Sequence, residues 1–398
     1  MTDSTLAVTP QPTAVAALLE AARISHELVP YRGALTPRVL DAPETEIAAL
    51  TQGAALHDLG WMRRVDVRGE DRFRWLSGMV TNTVNDLFPN SGAWNLLLNA
   101  QGRIQGDLTV WRGGEESSPV RRNAPAPAKS DAGTPFAGES SLILEISNDQ
   151  IEKLMAHLNK FIIMDDVELV PIGGEHIGEP GSETAIGLTG PHADEVLERV
   201  GLPTVSSPMS AKKVEWNGWD LTIVRDYGVI AKHYGFWIPT AGITKLWSCL
   251  RTGGALQVGC ESIEKLRILE GVPAYGIDIA EKDLPQETSQ TRALNFNKGC
   301  YLGQEIVERI HSRGNVHRHL RPLELTGPVP EPGTELKLEN GTDAGHITSA
   351  AQIALPKATR VFALGRLKSE AESGHQKLSY TANSVQGTAR ILEEAPKL

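Results

Sequence analysis

The segment from Asn297 to Glu305 stands out in this 398-residue chain by the reactive side chains that it brings together. It reads Asn-Lys-Gly-Cys-Tyr-Leu-Gly-Gln-Glu, so Gly299 and Gly303 bracket Cys300. Two glycines at this spacing favour a tight turn in which the backbone approaches its neighbours closely. A cysteine thiolate is a nucleophile and a metal ligand. The chemistry predicted for this segment is therefore that of a reactive sulfur atom.

A helix is predicted to follow this turn, because the chain from Gln304 to Arg309 and just beyond places its apolar residues Ile306, Val307 and Ile310 on one face. Cys300 then lies just ahead of a helix N-terminus, where backbone N–H groups and the helix dipole favour a thiolate. Lys298 adds positive charge two residues away. The alternative is a buried cysteine that packs as a small hydrophobic residue, with Gln304 and Glu305 serving only to cap the helix.

A second candidate for chemistry is Asp107, which lies beside a predicted strand pair. Leu96–Leu98 and Leu108–Trp111 are predicted strands, and Asn99–Arg103 forms the turn-rich connection after the first of them. A carboxylate at such a position can accept a hydrogen bond from an amine or relay its proton. The alternative is an aspartate at a strand end that only caps a turn.

Composition excludes several classes of protein. The chain is 40% hydrophobic and its formal net charge is −10, which disfavours binding to duplex nucleic acid. No run approaches 18 apolar residues, and the N-terminus has no basic and apolar signal pattern, so we expect neither a membrane span nor a secretory signal. Three cysteines without a CxxC pair predict a reducing, cytoplasmic setting and exclude an all-cysteine metal site supplied by this chain alone.

The pattern of elements predicts an α+β protein with several parts. Residues 1–44 form an extension with a helix, and residues 45–170 form a first α+β part that contains a Pro-rich, apolar-poor insertion at 113–140, expected to be mobile. Residues 171–320 form a second α+β part, which carries the cysteine motif and is expected to be discontinuous with the first. Short strands with Gly and Pro between them predict an antiparallel barrel over 321–398.

Two other groups of residues are candidates for chemistry. Cys249 and Cys260 lie among apolar residues at helical spacing, which favours core packing. The nitrogen-rich stretch from His311 to His319 is either a solvated basic connector or a metal site, although no carboxylate or cysteine lies at close ligand spacing. A cysteine protease arrangement, in which Cys300 pairs with a histidine, lacks any local signature.

The stretch from Lys298 to Glu305 resembles the signature of the YgfZ-type folate-binding proteins. These proteins are similar to the mitochondrial factor that helps to mature 4Fe–4S proteins, and both resemble the T-protein, the aminomethyltransferase of the glycine cleavage system. Further stretches that carry the resemblance are Leu98–Arg103 with Asp107, Leu266–Pro273, Pro285–Glu287, Arg309 with Arg313 and Arg318, and Gly345–Ser349.

The resemblance implies a three-part, clover-like arrangement around a central hole that accepts tetrahydrofolate or a derivative. It implies that Cys300 is the reactive thiolate, with Lys298 as its electrostatic activator, and that Asp107 lies near the folate nitrogens. Arg309, Arg313 and Arg318 would attract the glutamate tail of the folate. The residues predicted on this basis to bind the cofactor are Asn99, Gln101, Arg103, Tyr301, Gly303, Gln304, Glu305 and Arg309.

The sequence departs from the T-protein at two positions. The folate-contacting Gly-Tyr-Thr-Gly-Glu segment of the T-protein corresponds to His233–Trp237, which has no acidic residue. Within it, Tyr234, Phe236 and Trp237 offer aromatic surface for stacking. An arginine of the T-protein falls on Ile263. Both departures weaken the expectation of aminomethyl transfer by the T-protein mechanism.

The function predicted from the sequence is that of a tetrahydrofolate-binding accessory protein. It would support the assembly or repair of iron–sulfur proteins, with the assembly machinery or its client proteins as partners. The alternatives are a folate-dependent aminomethyltransferase or one-carbon transferase, and a folate-binding module that only docks partner proteins. Cys300 favours the first reading, because the T-protein mechanism has no use for a thiol at this position.

Overall fold

The computed structural model describes residues 9–114, 141–173, 182–314, 316–372 and 377–396, and the side chain of Arg313 is also left undescribed. The insertion predicted at 113–140 lies outside these ranges except for its first two residues. Gly113 donates a backbone hydrogen bond to the carbonyl of Ser141 at 2.9 Å. The two ends of the insertion are therefore neighbours.

Helices and strands alternate irregularly along the chain. The α-helices are α1 (Ala14–Ala21), α2 (Pro43–Gln52), α3 (Arg72–Ser77), α4 (Asn148–Asn159), α5 (Ala193–Arg199), α6 (Ile243–Thr252), α7 (Cys260–Leu269), α8 (Gln304–Arg313) and α9 (Ser369–Glu372). Short 3₁₀ helices span Thr240–Gly242, Pro285–Thr288 and Thr291–Ala293.

The strands, in chain order, are β1 (Gln11–Pro12), β2 (Leu28–Tyr31), β3 (Ala34–Pro37), β4 (Ala55–Asp58), β5 (Met62–Arg68), β6 (Ser91–Leu98), β7 (Ile104–Arg112), β8 (Leu142–Ser147), β9 (Glu168–Ile172), β10 (Glu183–Thr189), β11 (Ser210–Trp216), β12 (Trp219–Asp226), β13 (His233–Pro239), β14 (Leu256–Gln257), β15 (Arg318–Thr326), β16 (Glu335–Lys337), β17 (Asp343–Ala354), β18 (Thr359–Lys368), β19 (Leu378–Ala382) and β20 (Val385–Ile391). Strands β1, β3 and β2 form a small separate sheet.

One long sheet organises the first two thirds of the chain. Among the described residues it has 11 strands, in the order β14-β4-β10-β13-β12-β11-β6-β7-β8-β5-β9. Its two halves are joined where β11 meets β6, at the single residue pair Ser210 and Ser91. Because β4 pairs with β10 while β5 pairs with β8 and β9, the chain crosses from one half to the other after residue 58.

Alternating apolar residues place a separate core against each half. In the half around β8, Leu142, Leu144 and Ile146 are buried with Leu154 and Leu158 of α4. Burial of one such side chain is worth about 1.5–3 kcal/mol. The half around β10, β12 and β13 packs in the same way on α1, α5 and α6. The strand faces that these cores leave uncovered are available to line a cavity.

The C-terminal strands form a closed barrel in the order β15-β18-β17-β16-β19-β20, as far as the described residues show. Its centre is filled by inward residues such as Leu323, Ile347, Leu367 and Tyr380. The structure confirms the predicted α+β class and the predicted C-terminal antiparallel barrel, whose first strand begins at Arg318. No helix of the described chain is long and apolar enough to cross a membrane.

The segment that carries the cysteine motif packs on β6 and β7 of the first half. Tyr301 and Val307 are buried with Leu96, Leu98 and Ile104 in one apolar cluster. Tyr301 and Val307 therefore complete an apolar core beside β6 and β7, which come about 200 residues earlier in the chain.

Candidate functional site

A cavity of about 310 Å³ opens where the two halves of the long sheet meet α7 and the loop after it. Asp107 on β7 and His233 on β13 line it from the sheet, and Arg267 and Tyr275 line it from the α7 side. The aromatic residues that line it are Tyr31, Trp61, Trp94, Tyr227, Tyr234 and Tyr275. Aromatic walls with a few placed polar groups are typical of sites for small molecules.

Asp107 is held rigidly in the wall of this cavity. Its Oδ2 accepts the indole N–H of Trp94 at 2.9 Å, and its Oδ1 accepts the amide N–H of Gln150 at 2.9 Å. The backbone N–H of Asp107 donates in turn to Oε1 of Gln150 at 3.1 Å. The carboxylate is therefore preorganised, which is what recognition of an amine or transfer of a proton requires.

Sequence reasoning missed Arg292, a cation that lines the same cavity. Its guanidinium lies 4.7 Å from the ring centroid of Trp94 and 4.1 Å from that of Tyr227. Burial lowers the pKa of this arginine, although nearby Asp226 and other acidic groups act in the opposite direction. The guanidinium of Arg292 therefore lies against the ring of Trp94, the residue whose indole N–H donates to Asp107. No local motif marks Arg292, because Trp94 and Tyr227 lie far from it in the sequence.

Two further carboxyl groups, Glu145 on β8 and Asp226 at the end of β12, line the cavity. The indole N–H of Trp237 donates to Oε2 of Glu145 at 3.1 Å. Burial, and then repulsion from Asp226, raise the pKa of Glu145 to about 8. Burial also raises the pKa of Asp226. Burial therefore favours the protonated forms of both carboxyl groups.

A hydrogen-bonded chain of four side chains forms another part of the wall. Nε2 of His233 lies 2.9 Å from Oε2 of Glu270, and its Nδ1 lies 3.3 Å from Oγ1 of Thr189. The same hydroxyl lies 3.0 Å from Nε2 of His57. Burial lowers the pKa of His233, but the Glu270 carboxylate outweighs this and the net pKa is raised. The acidic neighbours thus favour the cationic form of His233, whereas burial favours the neutral form of His57 by lowering its pKa to about 3.

The cysteine motif forms a surface loop, and Cys300 is exposed on it. Lys298 is half-buried, and its ammonium donates to the carbonyls of Ser77, Val80 and Asn82 at 2.8, 2.6 and 2.8 Å. These three bonds use all three of its donors. The contacts of Lys298 are therefore those of an anchor that ties the loop to the end of α3. They give no support to its predicted role as an activator of Cys300.

The turn after β6, Asn99–Arg103, packs against the loop that carries the cysteine motif. Oδ1 of Asn99 accepts the backbone N–H groups of Gln101 and Arg103, both at 3.0 Å. The guanidinium of Arg103 donates to the carbonyl of Lys282 at 2.5 Å. Gly102 and Gly303 pack together where this turn meets the loop. These side chains shape a turn, and Gln101 is exposed.

The remaining motif residues make contacts within the loop and along α8. Tyr301 is buried, and Oε1 of Gln304 accepts its backbone N–H at 3.3 Å. Glu305 and Arg309 form an exposed ion pair on α8 at 2.6 Å. The alternative interpretation of the sequence was that Gln304 and Glu305 only cap the helix. No side chain caps the N-terminus of α8 by a hydrogen bond, although Glu305 lies in its first turn.

The structure therefore separates the predicted site residues into two places. Asp107 lines the cavity, whereas the other predicted residues are not among those that line it: Cys300, Lys298, Asn99, Gln101, Arg103, Tyr301, Gly303, Gln304, Glu305 and Arg309. Cys300 is exposed on the loop of the cysteine motif, and Lys298 of the same loop is bound to the carbonyl of Ser77 at the end of α3.

The aromatic segment His233–Trp237 also differs from expectation. Tyr234 lines the cavity, and its hydroxyl donates to Oδ1 of Asp194 at 2.7 Å. Phe236 and Trp237 are buried in the apolar cores instead. They are therefore not available for stacking, and the stacking surface comes from residues elsewhere in the chain. Ile263 lines the cavity as an apolar residue.

The nitrogen-rich stretch is engaged in structural contacts. Arg318 pairs with Glu287 at 2.9 Å and with Asp283 at 3.3 Å. The ring of His311 stacks on Phe296 at 3.9 Å. In the part of the chain that the structure describes, no group of three or more His, Cys, Asp or Glu side chains is placed to hold a metal ion. Arg318 was predicted to attract the glutamate tail of a folate. In the structure, the carboxylates of Glu287 and Asp283 already bind this side chain.

Comparison with known proteins agrees with the fold. The family model described as the GCVT N-terminal domain matches residues 26–130. The aminomethyltransferase T of the glycine cleavage system from Bartonella henselae superposes with a TM-score of 0.80 at 17% identity, covering 96% of this chain and 97% of that one.

Sequence relatives fall into two functional groups. A chloroplastic protein of Arabidopsis thaliana, named as a transferase, is 23% identical over 90% of this chain and 74% of its own length. An aminomethyltransferase of Caldanaerobacter subterraneus is 22% identical over 81% of this chain and 80% of its own. A mitochondrial iron–sulfur cluster assembly factor homologue of Neosartorya fischeri is 24% identical over 70% of this chain and 59% of its own.

The chain is therefore similar in sequence to aminomethyltransferases and to iron–sulfur cluster assembly factor homologues, and it shares the fold of the aminomethyltransferase T. The relatives in these two groups are named for aminomethyl transfer and for iron–sulfur cluster assembly.

Proposed function

We propose that this chain binds a reduced folate in the central cavity and supports the assembly or repair of iron–sulfur proteins through the thiol of Cys300. The observation that carries the folate part is the Asp107 carboxylate, fixed by Trp94 and Gln150 in an aromatic cavity. The iron–sulfur part is supported by the likeness to the mitochondrial assembly factor homologue and by the exposure of Cys300.

The chemical types of the residues that line the cavity match the groups of a tetrahydrofolate. Asp107 offers acceptors for N–H groups of the reduced ring, and the aromatic walls offer flat apolar contact. Arg292 supplies a cation for a carboxylate. A volume of about 310 Å³ is at the lower end of the range for small-molecule sites, so it suits the ring system better than the whole molecule. A bound tetrahydrofolate would supply amine nitrogens that can carry a one-carbon unit.

We assign different roles to the cavity that Asp107 lines and to the exposed loop that carries Cys300. Asp107 holds or accepts a proton at a ligand amine inside the cavity. Cys300 lies on an exposed loop and does not line the cavity, so we assign its thiol to contacts with another protein. The partners proposed on this basis are iron–sulfur assembly machinery or its clients. A reducing, cytoplasmic setting belongs to the same proposal, because it keeps the thiol reduced.

Folate binding is tested by isothermal titration calorimetry, in which the protein is titrated with 5-formyltetrahydrofolate. Asp107→Ala is expected to weaken binding at least tenfold, because the ligand loses its fixed acceptor while Trp94 and Gln150 lose their partner. Asp86→Asn is the matched control, since Asp86 is exposed on the loop before β6. Equal affinity of wild type and Asp107→Ala would contradict the assignment of Asp107.

The thiol is tested by complementation of a strain that lacks its own factor of this kind, with the activity of a 4Fe–4S enzyme as the readout. Cys300→Ser is expected to abolish rescue. Cys249→Ser is the control, because Cys249 is a half-buried thiol on α6. Full rescue by Cys300→Ser would remove the thiol from the function and leave a docking module.

The second candidate is a folate-dependent aminomethyl or one-carbon transferase. The preorganised Asp107 favours it, since a carboxylate in that position can relay a proton at an amine. The assay is formation of methylene-tetrahydrofolate from tetrahydrofolate and a thioether aminomethyl donor (S–CH2–NH2), with release of the thiol and ammonia, measured by absorbance. Turnover that persists in Cys300→Ala would support this candidate over the accessory role.

A further inference from the structure

Two adjacent apolar side chains, Ile163 and Met164, project from the loop between α4 and β9, and we call this pair the apolar tip. Met164 is 93% exposed and Ile163 is 82% exposed, which makes them the two most exposed large apolar side chains of the described residues. Scattered single apolar residues are ordinary on protein surfaces, whereas adjacent ones that form a patch are a feature of interaction sites. The cavity does not explain the pair, because neither residue lines it.

The loop that carries the apolar tip is tied to α3 on both sides of the tip. On the side that follows it, the carboxylate of Asp165 pairs with the guanidinium of Arg74 at 2.6 Å. On the side that precedes it, the indole N–H of Trp75 donates to the carbonyl of Phe161 at 3.1 Å. The exposure of the two apolar side chains is therefore a fixed feature of the fold.

The loop that carries Cys300 is tied to the same helix. The ammonium of Lys298 donates to the carbonyl of Ser77 at 2.8 Å, and the backbone N–H of Leu302 donates to the carbonyl of Gly78 at 2.9 Å. Cys300 lies midway between these two anchored residues in the sequence. The exposed thiol is therefore held next to the C-terminal end of α3.

The apolar tip and the thiol lie close enough to belong to one interface. Their loops are attached to the chain between Arg74 and Gly78, a span of about 6 Å at the rise of a helix. Leu302 and Phe161 also pack on the same apolar core. A specific interface covers about 800 Å² on each partner. A protein that contacts Cys300 through an interface of this size therefore covers the apolar tip as well.

We propose that Ile163 and Met164 dock the partner protein whose iron–sulfur site contacts Cys300. The partner that fits carries an apolar pocket for these two side chains beside the cysteine-ligated cluster or cluster site that the thiol reaches. Burial of apolar surface favours association, and methionine is enriched in interfaces because its side chain adapts to the pocket. The inference rests on the proposed function, and it adds the surface by which the partner is recognised.

The test is complementation of a strain that lacks its own factor of this kind, with the activity of a 4Fe–4S enzyme as the readout. The double variant Ile163→Ser, Met164→Ser is expected to lower the rescued activity at least fivefold. Phe88→Ser is the matched control, because Phe88 is 79% exposed on a different loop, and it should change the activity less than twofold. Unchanged affinity of the double variant for 5-formyltetrahydrofolate shows that docking, and not the cavity, is lost.

Photo-cross-linking identifies the protein that covers the apolar tip. The photoreactive residue p-benzoylphenylalanine replaces Met164 or, in the control, Phe88, and the trapped proteins are identified by mass spectrometry after irradiation of the cells. Position 164 is expected to trap an iron–sulfur protein or an assembly factor at least fivefold more than position 88. A cross-link between two copies of this chain would make the tip a self-association surface and would overturn the proposal, as would the absence of any cross-link.

The outcomes separate this inference from the proposed function. Full rescue by the folded double variant, with no rescue by Cys300→Ser, overturns the inference and leaves the proposed function intact. Full rescue by Cys300→Ser, with none by the double variant, removes the thiol from the function and leaves the docking surface. If wild type gives no rescue, the iron–sulfur role fails, and the cross-link at position 164 decides the inference. Circular dichroism shows which variants are folded, and Met164→Ser alone decides the matter if the double variant unfolds.

Discussion

Gly102 and Gly303 meet backbone to backbone where the turn after β6 supports the cysteine loop. A β-carbon on Gly303 would lie 2.5 Å from the carbonyl oxygen of Asn99 and 2.9 Å from Cα of Gly102. Gly303 also has a φ of +81°, which side chains of L-residues rarely adopt. The position of Cys300 therefore depends on two residues that have no side chain.

Gly303→Ala is expected to destabilise the protein by about 2–4 kcal/mol, because strain at positive φ adds to a clash with backbone atoms. Gly341→Ala is the control, since Gly341 has the same φ of +81° but a β-carbon added there would meet nothing within 4 Å, and it should cost only about 1 kcal/mol. Urea unfolding measures both. Equal losses would mean that the close packing at Gly303 contributes nothing.

Lys298→Met tests whether this lysine anchors the loop or activates the thiol. Loss of the ammonium leaves the carbonyls of Ser77, Val80 and Asn82 without their donor, so a loss of about 2–3 kcal/mol in the free energy of unfolding is expected. Lys160→Met, at an exposed lysine, is the control. Unchanged stability combined with slower alkylation of Cys300 by iodoacetamide would instead support activation.

The ion pair of His233 and Glu270 predicts how stability depends on pH. The raised pKa of His233 stabilises the fold below its ordinary value of about 6.5, and this stability is lost as pH rises through the folded value. The lowered pKa of Glu270 stabilises the fold above about 4.5, and this stability is lost as pH falls through the folded value.

The contribution of the pair is therefore greatest between these two ordinary values. His233→Gln is expected to remove the decline above about pH 6.5 in thermal melting curves taken from about pH 4 to 9. His26→Gln is the control, because the ring of His26 contacts only a local carbonyl, that of Ile24, among the described residues. A wild-type stability that rises steadily from about pH 6 to 9 would contradict the assignment.

The buried Asp278 joins the barrel to the cavity wall. Its Oδ2 accepts from Arg267 at 2.6 Å, and its Oδ1 accepts the hydroxyls of Thr348 and Ser349 at 2.5 and 2.6 Å. Asp278→Ala leaves a buried guanidinium without this partner, so a loss of about 3–5 kcal/mol is expected. Hydrogen exchange should show faster exchange in the loop at 272–279. Asp343→Ala, at an exposed ion pair of the barrel, should have little effect.

Much of the local structure could be predicted from the sequence. Apolar runs predicted the strands at Leu96–Leu98 and Leu108–Trp111, which lie in β6 and β7, and short strands predicted the barrel. The glycines around Cys300 and the apolar face after them predicted a turn followed by α8. Asp107 was found because it lies beside a strand pair whose turn has a recognisable pattern. The hydroxyls of the Gly345–Ser349 stretch turned out to bind Asp278, which had no signal of its own.

The sequence by itself determined where many of the helices, strands and turns lie, and that a turn bounded by two glycines carries a cysteine, whereas the exposure of its thiol came from the structure. Those properties depend on backbone preferences and on the spacing of apolar residues within a few turns of chain. Only the tertiary structure decided that Asp107 shares a cavity with Arg292, Glu145 and Asp226, while Cys300 lies outside it. Such groupings depend on contacts between residues far apart in the chain, which the crossing of strands between the two sheet halves creates and which no local pattern encodes.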